Sequence, residues 1–299
     1  MSQAERGELP PPLRDDGGEL PPVVVLCGGR GTRLQEHGRE PLGAAELPKP
    51  LVEIGGRPIL WHVVMLYAAQ GFRRFVLATG YRGELVEQFA RAAAWPVGVD
   101  VRCLDTGAET NTGGRVRLAG ELLDGDARIC ATYSDGLADV DLHALLAFHA
   151  AHGGLASVTV VRPQLQFGVV EIGSAGRVLA FREKPRSEHW INGGFFCFER
   201  PALERIGEDS VLEREPLQLL AREGQLHAYR HGGFWRCMDT YKDAVALREQ
   251  WAEGRAPWML RRGEDDGPRE ADPEAGAAER VSGELLVGGL AARPPASAP

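Results

Sequence analysis

The sequence predicts an α/β fold, a mostly parallel mixed sheet flanked by helices with a smaller strand-rich lobe attached. Three observations carry that expectation. Strand and helix patterns alternate from residue 23 to about residue 150. The first apolar run, VVVLC at 23–27, is continuous and β-branched and stops at Gly28, as a strand covered on both faces does. Beyond residue 151 the strand patterns crowd together with fewer helical stretches between them.

The elements follow in order. Pro58 opens a helix on which Ile59, Leu60, Val63, Leu66 and Tyr67 recur at helical spacing, and Gly71 stops it. RFVLAT (74–79) reads as the next strand, followed by a helix through Leu85 and Phe89. VDVRCL (99–104) and ARICATY (127–133) are further strands, the second ending just before Ser134 and Asp135. Asp141 caps a helix carrying Leu142, Leu145, Leu146 and Phe148. LASVTVV, FGVVEI, RVLAF and GGFFCF then form short strands. Alternating βα units imply right-handed crossovers and hence a parallel, Rossmann-like sheet. One folded domain is expected over 23–262, with a first half at about 23–150 and a second at about 151–262. The Pro-, Gly- and charge-rich stretches 1–22 and 263–299 bury too little apolar surface to offset ordering, and are expected to be disordered.

Bulk properties narrow the function. With 299 residues, 43% of them hydrophobic, the chain can bury a large core. A net charge of −8 advertises no nucleic-acid surface. No apolar run approaches the roughly 20 residues that cross a bilayer. The polar, Pro-rich N-terminus lacks the apolar centre of a secretory signal. Five cysteines, Cys27, Cys103, Cys130, Cys197 and Cys237, are odd in number and match no zinc spacing, so they read as reduced thiols of a cytoplasmic protein. Lone histidines such as His62 and His149 read as helix-face residues.

The strongest local signal is VVVLCGGRGTRL, a strand running into Gly28, Gly29, Arg30, Gly31, Thr32 and Arg33. Glycines allow a tight turn that presents bare N–H groups to phosphate oxygens, and an arginine fork suits a polyphosphate. The dinucleotide fingerprint fails where Leu34 stands in place of glycine, and a Walker A loop fails at Thr32, Arg33 and Leu34. Lys49 lies between Pro48 and Pro50, which stiffen its segment. Asp135 follows an apolar strand, where open parallel sheets form their ligand crevice. Lys184 in FREKPR and Asp239 in GGFWRCMDT complete the set. Transfer between two anions needs cations to let them meet and one or two carboxylates to hold a metal. This inventory meets both needs.

At these motifs the chain resembles the sugar-phosphate nucleotidyltransferases, and within them the glucose-1-phosphate cytidylyltransferases, over about residues 23–260. GGRGTRL is similar to the family's GGxGTRL, and PKPLVEIGGRPILWH to the cytidylyltransferase stretch KPMVEIGGKPILWH. DTGAETNTGGR, YSDGLADVDL, FREKP, INGGFF, EREPL, GFWRCMDT and EGRAPW follow in the family's order. The resemblance implies the nucleotide-diphospho-sugar transferase fold, its smaller lobe binding the sugar, and a Mg²⁺-dependent condensation of a nucleoside triphosphate with a sugar 1-phosphate. CTP and α-D-glucose 1-phosphate are the implied pair. It gives Gly28, Gly29, Gly31 and Thr32 to the nucleotide phosphates, with Thr112, Gly113, Gly114 and Arg115 near the base; Ser134 counts among the nucleotide-binding residues. Arg33 goes to the pyrophosphate leaving group and Lys49 to the reacting phosphates. Asp135 and Asp239 become Mg²⁺ ligands, and Gly168, Glu183, Lys184, Asn192 and Gly193 line the sugar-phosphate site. It also implies a homo-oligomer.

The chain departs from the family at three places. Ser134-Asp135-Gly136 stands where the family has Gly-Asp-Gly, adding a Cβ where the backbone approaches the nucleotide. The loop QEHGREPLGAAELP after Leu34 is longer than usual, as a lid or a tolerated insertion would be. The segment between Phe89 and Asp105 lacks an insertion that cytidylyltransferases associate with nucleotide binding and subunit contacts. Other pairs, such as UTP or dTTP with another sugar phosphate, therefore stay open. A non-catalytic binding protein is disfavoured because Lys49, Asp135 and Asp239 are all present. A nicotinamide oxidoreductase is disfavoured because RFVLAT runs into Gly80-Tyr81-Arg82, with no acid for a ribose.

Overall fold

The computed structural model describes residues 20–31 and 47–259. These residues fall within one compact unit, and residues 260–299 lie outside the described residues. Residues 1–19 of the N-terminal extension, Thr32, Arg33 and most of the long loop also lie outside them.

Strand β1 (Val23–Leu26) is followed by a 3-10 turn at Lys49–Leu51, the paired β2 (Glu53–Ile54) and β3 (Arg57–Pro58), and helix α1 (Ile59–Ala69). The alternation continues through β4 (Arg74–Thr79), α2 (Gly83–Ala92), β5 (Asp100–Asp105), α3 (Thr112–Leu122) and β6 (Arg128–Tyr133). Next come β7 (Gly136–Ala138), α4 (Leu142–His152), β8 (Ala156–Val161), and the hairpin of β9 (Val169–Ile172) and β10 (Val178–Arg182). The last elements are β11 (Ile191–Glu199), α5 (Arg200–Leu203), α6 (Glu215–Arg222), β12 (Leu226–His231), β13 (Trp235–Cys237) and α7 (Tyr241–Ala252).

Seven strands form the central sheet in the order β12–β8–β11–β6–β1–β4–β5. Pairings β1–β4, β1–β6, β4–β5 and β8–β12 are parallel, and β11 runs antiparallel between β6 and β8. The strand-rich second half thus gives β8, β11 and β12 to this sheet. Its β9–β10 hairpin forms a separate two-stranded sheet with Phe167, Ile172, Val178 and Phe181 exposed. From β1 the chain steps outward to β4 and β5, then returns to lay β6 on the other side of β1. That reversal opens a crevice at the carboxyl ends of β1 and β6.

Both faces of the sheet are covered, which is why β1 reads as an unbroken apolar run. Val23 and Val25 face one layer with Ile59 and Leu66 of α1, Leu145 of α4 and Leu247 of α7. Val24 and Leu26 face the other with Val116 and Ala119 of α3 and Leu220 of α6. The period-two alternation of a strand supplies this split, and each buried Val, Leu or Ile side chain contributes about 1.5–3 kcal/mol. Asp141 caps α4 as expected, its carboxylate accepting from the Ala144 N–H at 2.9 Å.

His62 and His149 sit deeper than a helix-face position suggests: both are buried. Nε2 of His62 is 2.9 Å from the Ile54 carbonyl, and Trp258 donates its indole N–H to Nδ1 at 3.3 Å. This pairing fixes the neutral ring, since a second ring proton would face the Trp258 donor. Burial pushes its pKa down from 6.5 to about 4, partly countered by the Ile54 carbonyl and reinforced by Arg57. His149 is not alone either, because His152 shares the Ser157 hydroxyl with it, at 2.7 and 2.8 Å. Burial lowers both of their pKa values as well. A histidine held neutral contributes stability above pH 6.5 that is lost as pH falls towards the folded pKa. The melting temperature is therefore expected to drop between pH 7 and pH 5, and His62→Gln, which keeps a donor and an acceptor, to flatten that drop. An identical pH profile in the variant would contradict the assignment.

Candidate active site

The crevice above β1 and β6 is a cleft of about 510 Å³. The glycine turn forms one wall. Gly28 follows β1 directly, its carbonyl accepting from the Tyr81 N–H at 3.2 Å and from Arg115 at 3.1 Å. A Cβ on Gly28 would lie 2.0 Å from the Arg115 guanidinium, so nothing larger than glycine fits against that side chain. Arg115 is buried and also donates to the Thr79 carbonyl at 2.7 Å and the Thr106 hydroxyl at 2.5 Å. It lines the cleft while holding two backbone carbonyls and the Thr106 side chain, and that fixed framework gives it a supporting role that sequence does not reveal.

The opposite wall depends on a pairing between distant segments. β7, just after Asp135, pairs antiparallel with β13, just before Asp239, in the register Gly136↔Cys237. Met238 donates its N–H to the Asp135 carbonyl at 2.9 Å, extending the ladder by one step. The two carboxylates are thereby brought together. Asp239 also sits immediately before α7, whose N-terminus Thr240 and Asp243 close with a reciprocal capping box. The positive end of that helix favours a carboxylate there.

Lys49 completes the centre. Its ammonium lies 2.5 Å from Asp135 Oδ2 and 2.6 Å from Asp239 Oδ1. The lysine is 13% exposed, Asp135 19% and Asp239 42%, so the group is accessible from the cleft but largely sheltered. Burial opposes the ammonium, yet Asp135, with Cys237 and Asp239, outweighs it and raises the Lys49 pKa. The 3-10 turn Lys49–Leu51, begun at Pro48 and stiffened by Pro50, aims the side chain across the crevice.

The carboxylate pair also passes a test as a metal site. Oxygens of Asp135 and Asp239 and the sulfur of Cys237 all lie within 4.8 Å of one another. Two carboxylates suit a hard cation such as Mg²⁺, which uses one or two of them and takes its remaining ligands from phosphates and water; a sulfur does not. The positive charge that the pair already holds in Lys49 shows that it favours a cation.

Not every residue expected at the site reaches the cleft. Gly28, Gly29, Gly31, Lys49, Thr112, Arg115, Ser134, Asp135 and Asp239 line it. Thr32 and Arg33 lie outside the described residues. Ser134 is buried, and its hydroxyl meets the Cys27 thiol, which accommodates the extra side chain. Gly113 and Gly114 open α3 against the 208–210 segment, with both N–H groups donating to the Ser210 carbonyl. A Cβ on Gly114 would be 2.0 Å from the Glu208 carbonyl oxygen, so close helix packing explains this glycine. Gly168, Glu183, Lys184, Asn192 and Gly193 gather outside the cleft lining, around the base of the hairpin and the start of β11. Glu183 and Lys184 are exposed, and the Lys184 backbone is left-handed at φ 44°.

Two residues were missed by sequence reasoning. Tyr133 donates its hydroxyl to Glu213 and accepts from Asn192 Nδ2 at 2.9 Å. Glu213 also accepts from the Thr112 hydroxyl at 2.8 Å. One carboxylate thus ties the rim of the cleft, through Tyr133, to Asn192. Its position in the motif EREPL was the available signal, without any pointer to its partners.

A family model described as nucleotidyl transferase matches residues 22–236. The chain belongs to this family. The nucleotidyltransferase is 38% identical over 262 aligned positions to the glucose-1-phosphate cytidylyltransferase of Salmonella typhi, covering 79% of this chain and 98% of that protein. It is 35% identical over 251 positions to the mannose-1-phosphate guanylyltransferase catalytic subunit beta of Danio rerio, covering 81% of this chain and 68% of that protein. The crystal structure of HddC from Yersinia pseudotuberculosis matches with a TM-score of 0.60 at 19% identity, over 78% of this chain and 100% of that one. That likeness supports the fold alone. Among the described residues, no helix of this nucleotidyltransferase is long and apolar enough to cross a membrane.

Proposed function

We propose that the chain condenses CTP with α-D-glucose 1-phosphate, giving CDP-glucose and pyrophosphate, with Mg²⁺ as its cofactor. The observation that carries this reading is the Lys49 ammonium held between Asp135 and Asp239, at the mouth of a glycine turn. The relatives named as glucose-1-phosphate cytidylyltransferases supply the choice of pair. The reaction is assigned to the cytoplasm, and the protein to a homo-oligomer, by analogy with its family.

In this mechanism a phosphate oxygen of the sugar 1-phosphate attacks the α-phosphorus in line. An oxygen–phosphorus bond forms, and the bond to pyrophosphate breaks. The attacking oxygen is already ionised at neutral pH, so no residue has to act as general base. The glycine turn offers its N–H groups to the triphosphate, and Arg115 keeps that turn rigid. Lys49 faces the charge that grows on the bridging oxygen, in a site sheltered enough for that attraction to count. Asp135 and Asp239 would hold the divalent cation, which would supply positive charge to neutralise the phosphates. Arg33 is assigned to the leaving pyrophosphate, and Lys184, Glu183 and Asn192 to the sugar phosphate, by resemblance.

A second pair, GTP with mannose 1-phosphate, is favoured by the guanylyltransferase relative and by the short connection from Ala92 to Asp100, where the cytidylyltransferase insertion is lacking. Product analysis over a grid of nucleoside triphosphates and sugar 1-phosphates decides between them. CDP-glucose as the preferred product supports the first pair; GDP-mannose replaces it with the second. The Tyr133–Asn192 bond carries its own expectation. Tyr133→Phe removes the hydroxyl that bonds both Asn192 and Glu213; the bond to Asn192 is worth about 1 kcal/mol, so KM for the sugar phosphate should rise about fivefold with little change for the triphosphate. Equal changes in both would contradict the assignment of Asn192 to the sugar side.

A further inference from the structure

A second cavity, of about 390 Å³, lies beside the base of the hairpin, between the ends of β8 and β12, β13 and α7. Three arginines converge on it. Arg162 follows β8, Arg186 follows β10, and Arg236 lies within β13. No acidic side chain is among the lining residues, and none of the three arginines is ion-paired among the described residues. Elsewhere among the described residues many arginines have a carboxylate partner, such as Arg74 with Asp126 and Arg128 with Glu199. Three uncompensated guanidinium groups in one concavity repel each other, and an anion relieves that repulsion.

Two of the arginines are also held in place. Arg162 stacks on the Trp190 ring at 4.4 Å, and Arg186 donates to the Gly232 carbonyl at 3.3 Å. Trp235 forms an aromatic wall, fixed by its indole bond to the Gly193 carbonyl at 2.8 Å. Gln164 and Gln250 add neutral hydrogen-bonding groups. A planar donor fork beside an aromatic wall suits a phosphoryl group carried on a small polar body. The volume suits a ligand of that size. None of Gly168, Glu183, Lys184, Asn192 and Gly193 lines this cavity, so it is not the expected sugar-phosphate site.

We propose that this cavity is a second, non-catalytic site for a phosphate-bearing anion, either inorganic phosphate or a sugar phosphate. Because Trp235 and Arg236 belong to the strand that leads to Asp239, an occupant rests against the strand that carries part of the reacting centre. The test is calorimetric binding of inorganic phosphate and of glucose 6-phosphate to the full chain, compared with the double variant Arg162→Ala/Arg186→Ala. Both substituted side chains are exposed, so the fold is expected to persist. Binding should weaken by at least about tenfold in the double variant, while KM for both substrates stays within about twofold. Equal affinity for the two probes identifies inorganic phosphate as the ligand; tighter glucose 6-phosphate identifies a sugar phosphate. Unchanged binding in the double variant would overturn the proposal. So would a sugar 1-phosphate KM that rises in step with the lost binding, because the cavity would then belong to the substrate site.

Discussion

Asp239→Ala is expected to lose about 10³-fold in turnover with its fold intact, the scale of removing a group that organises transition-state charge. The carboxylate is the most exposed of the three reacting groups, at 42%, so little packing depends on it. What it supplies is charge. Without it Lys49 keeps Asp135 as a partner, and the proposed cation site loses one of its two carboxylates. The measurement is steady-state turnover beside a melting curve. Wild-type activity in the variant, or a collapse of the fold, would each contradict the role given to Asp239.

Lys49→Ala should fall at least as far in turnover, and in a diagnostic way. Its ammonium neutralises Asp135 and Asp239 at 2.5 and 2.6 Å. Removing it leaves two carboxylates facing each other across a sheltered space, with only solvent to screen them. The variant should therefore melt at a lower temperature in EDTA and recover more stability from added Mg²⁺ than the wild type does. Asp239→Ala should do the reverse and respond to Mg²⁺ less. If Mg²⁺ shifts the melting temperature equally in wild type, Lys49→Ala and Asp239→Ala, the carboxylate pair is not where the cation binds.

Those two residues also mark how far sequence reasoning reached. β1, α1, β4 and α4 were legible because each is specified locally, by a β-branched run, by apolar residues at helical spacing, or by an Asp141 cap. The burial of β1 on both faces could be read from VVVLC alone. The membership of β8, β11 and β12 in the central sheet was not legible, because it rests on pairings such as Phe196↔Ala131 and Leu226↔Ala156 between distant segments. At the site, Lys49, Asp135 and Asp239 could be singled out by type and by flanking prolines or strands. Their meeting depends on the β7–β13 ladder, which no spacing in the sequence encodes. Glu213 escaped for the same reason: its partners Thr112 and Tyr133 lie 101 and 80 residues away. Arg115 was identified by resemblance, whereas its hold on Gly28, Thr79 and Thr106 depends on three-dimensional packing.

The most direct test of the central claim is pyrophosphate release by the purified chain, with each triphosphate in the presence and absence of a sugar 1-phosphate, in Mg²⁺ and in EDTA. The account predicts release that requires both substrates, disappears in EDTA, and is lost in Asp239→Ala and Lys49→Ala. No release with any pair, from folded protein that still binds a triphosphate, would contradict it and leave a nucleotide-binding protein without turnover.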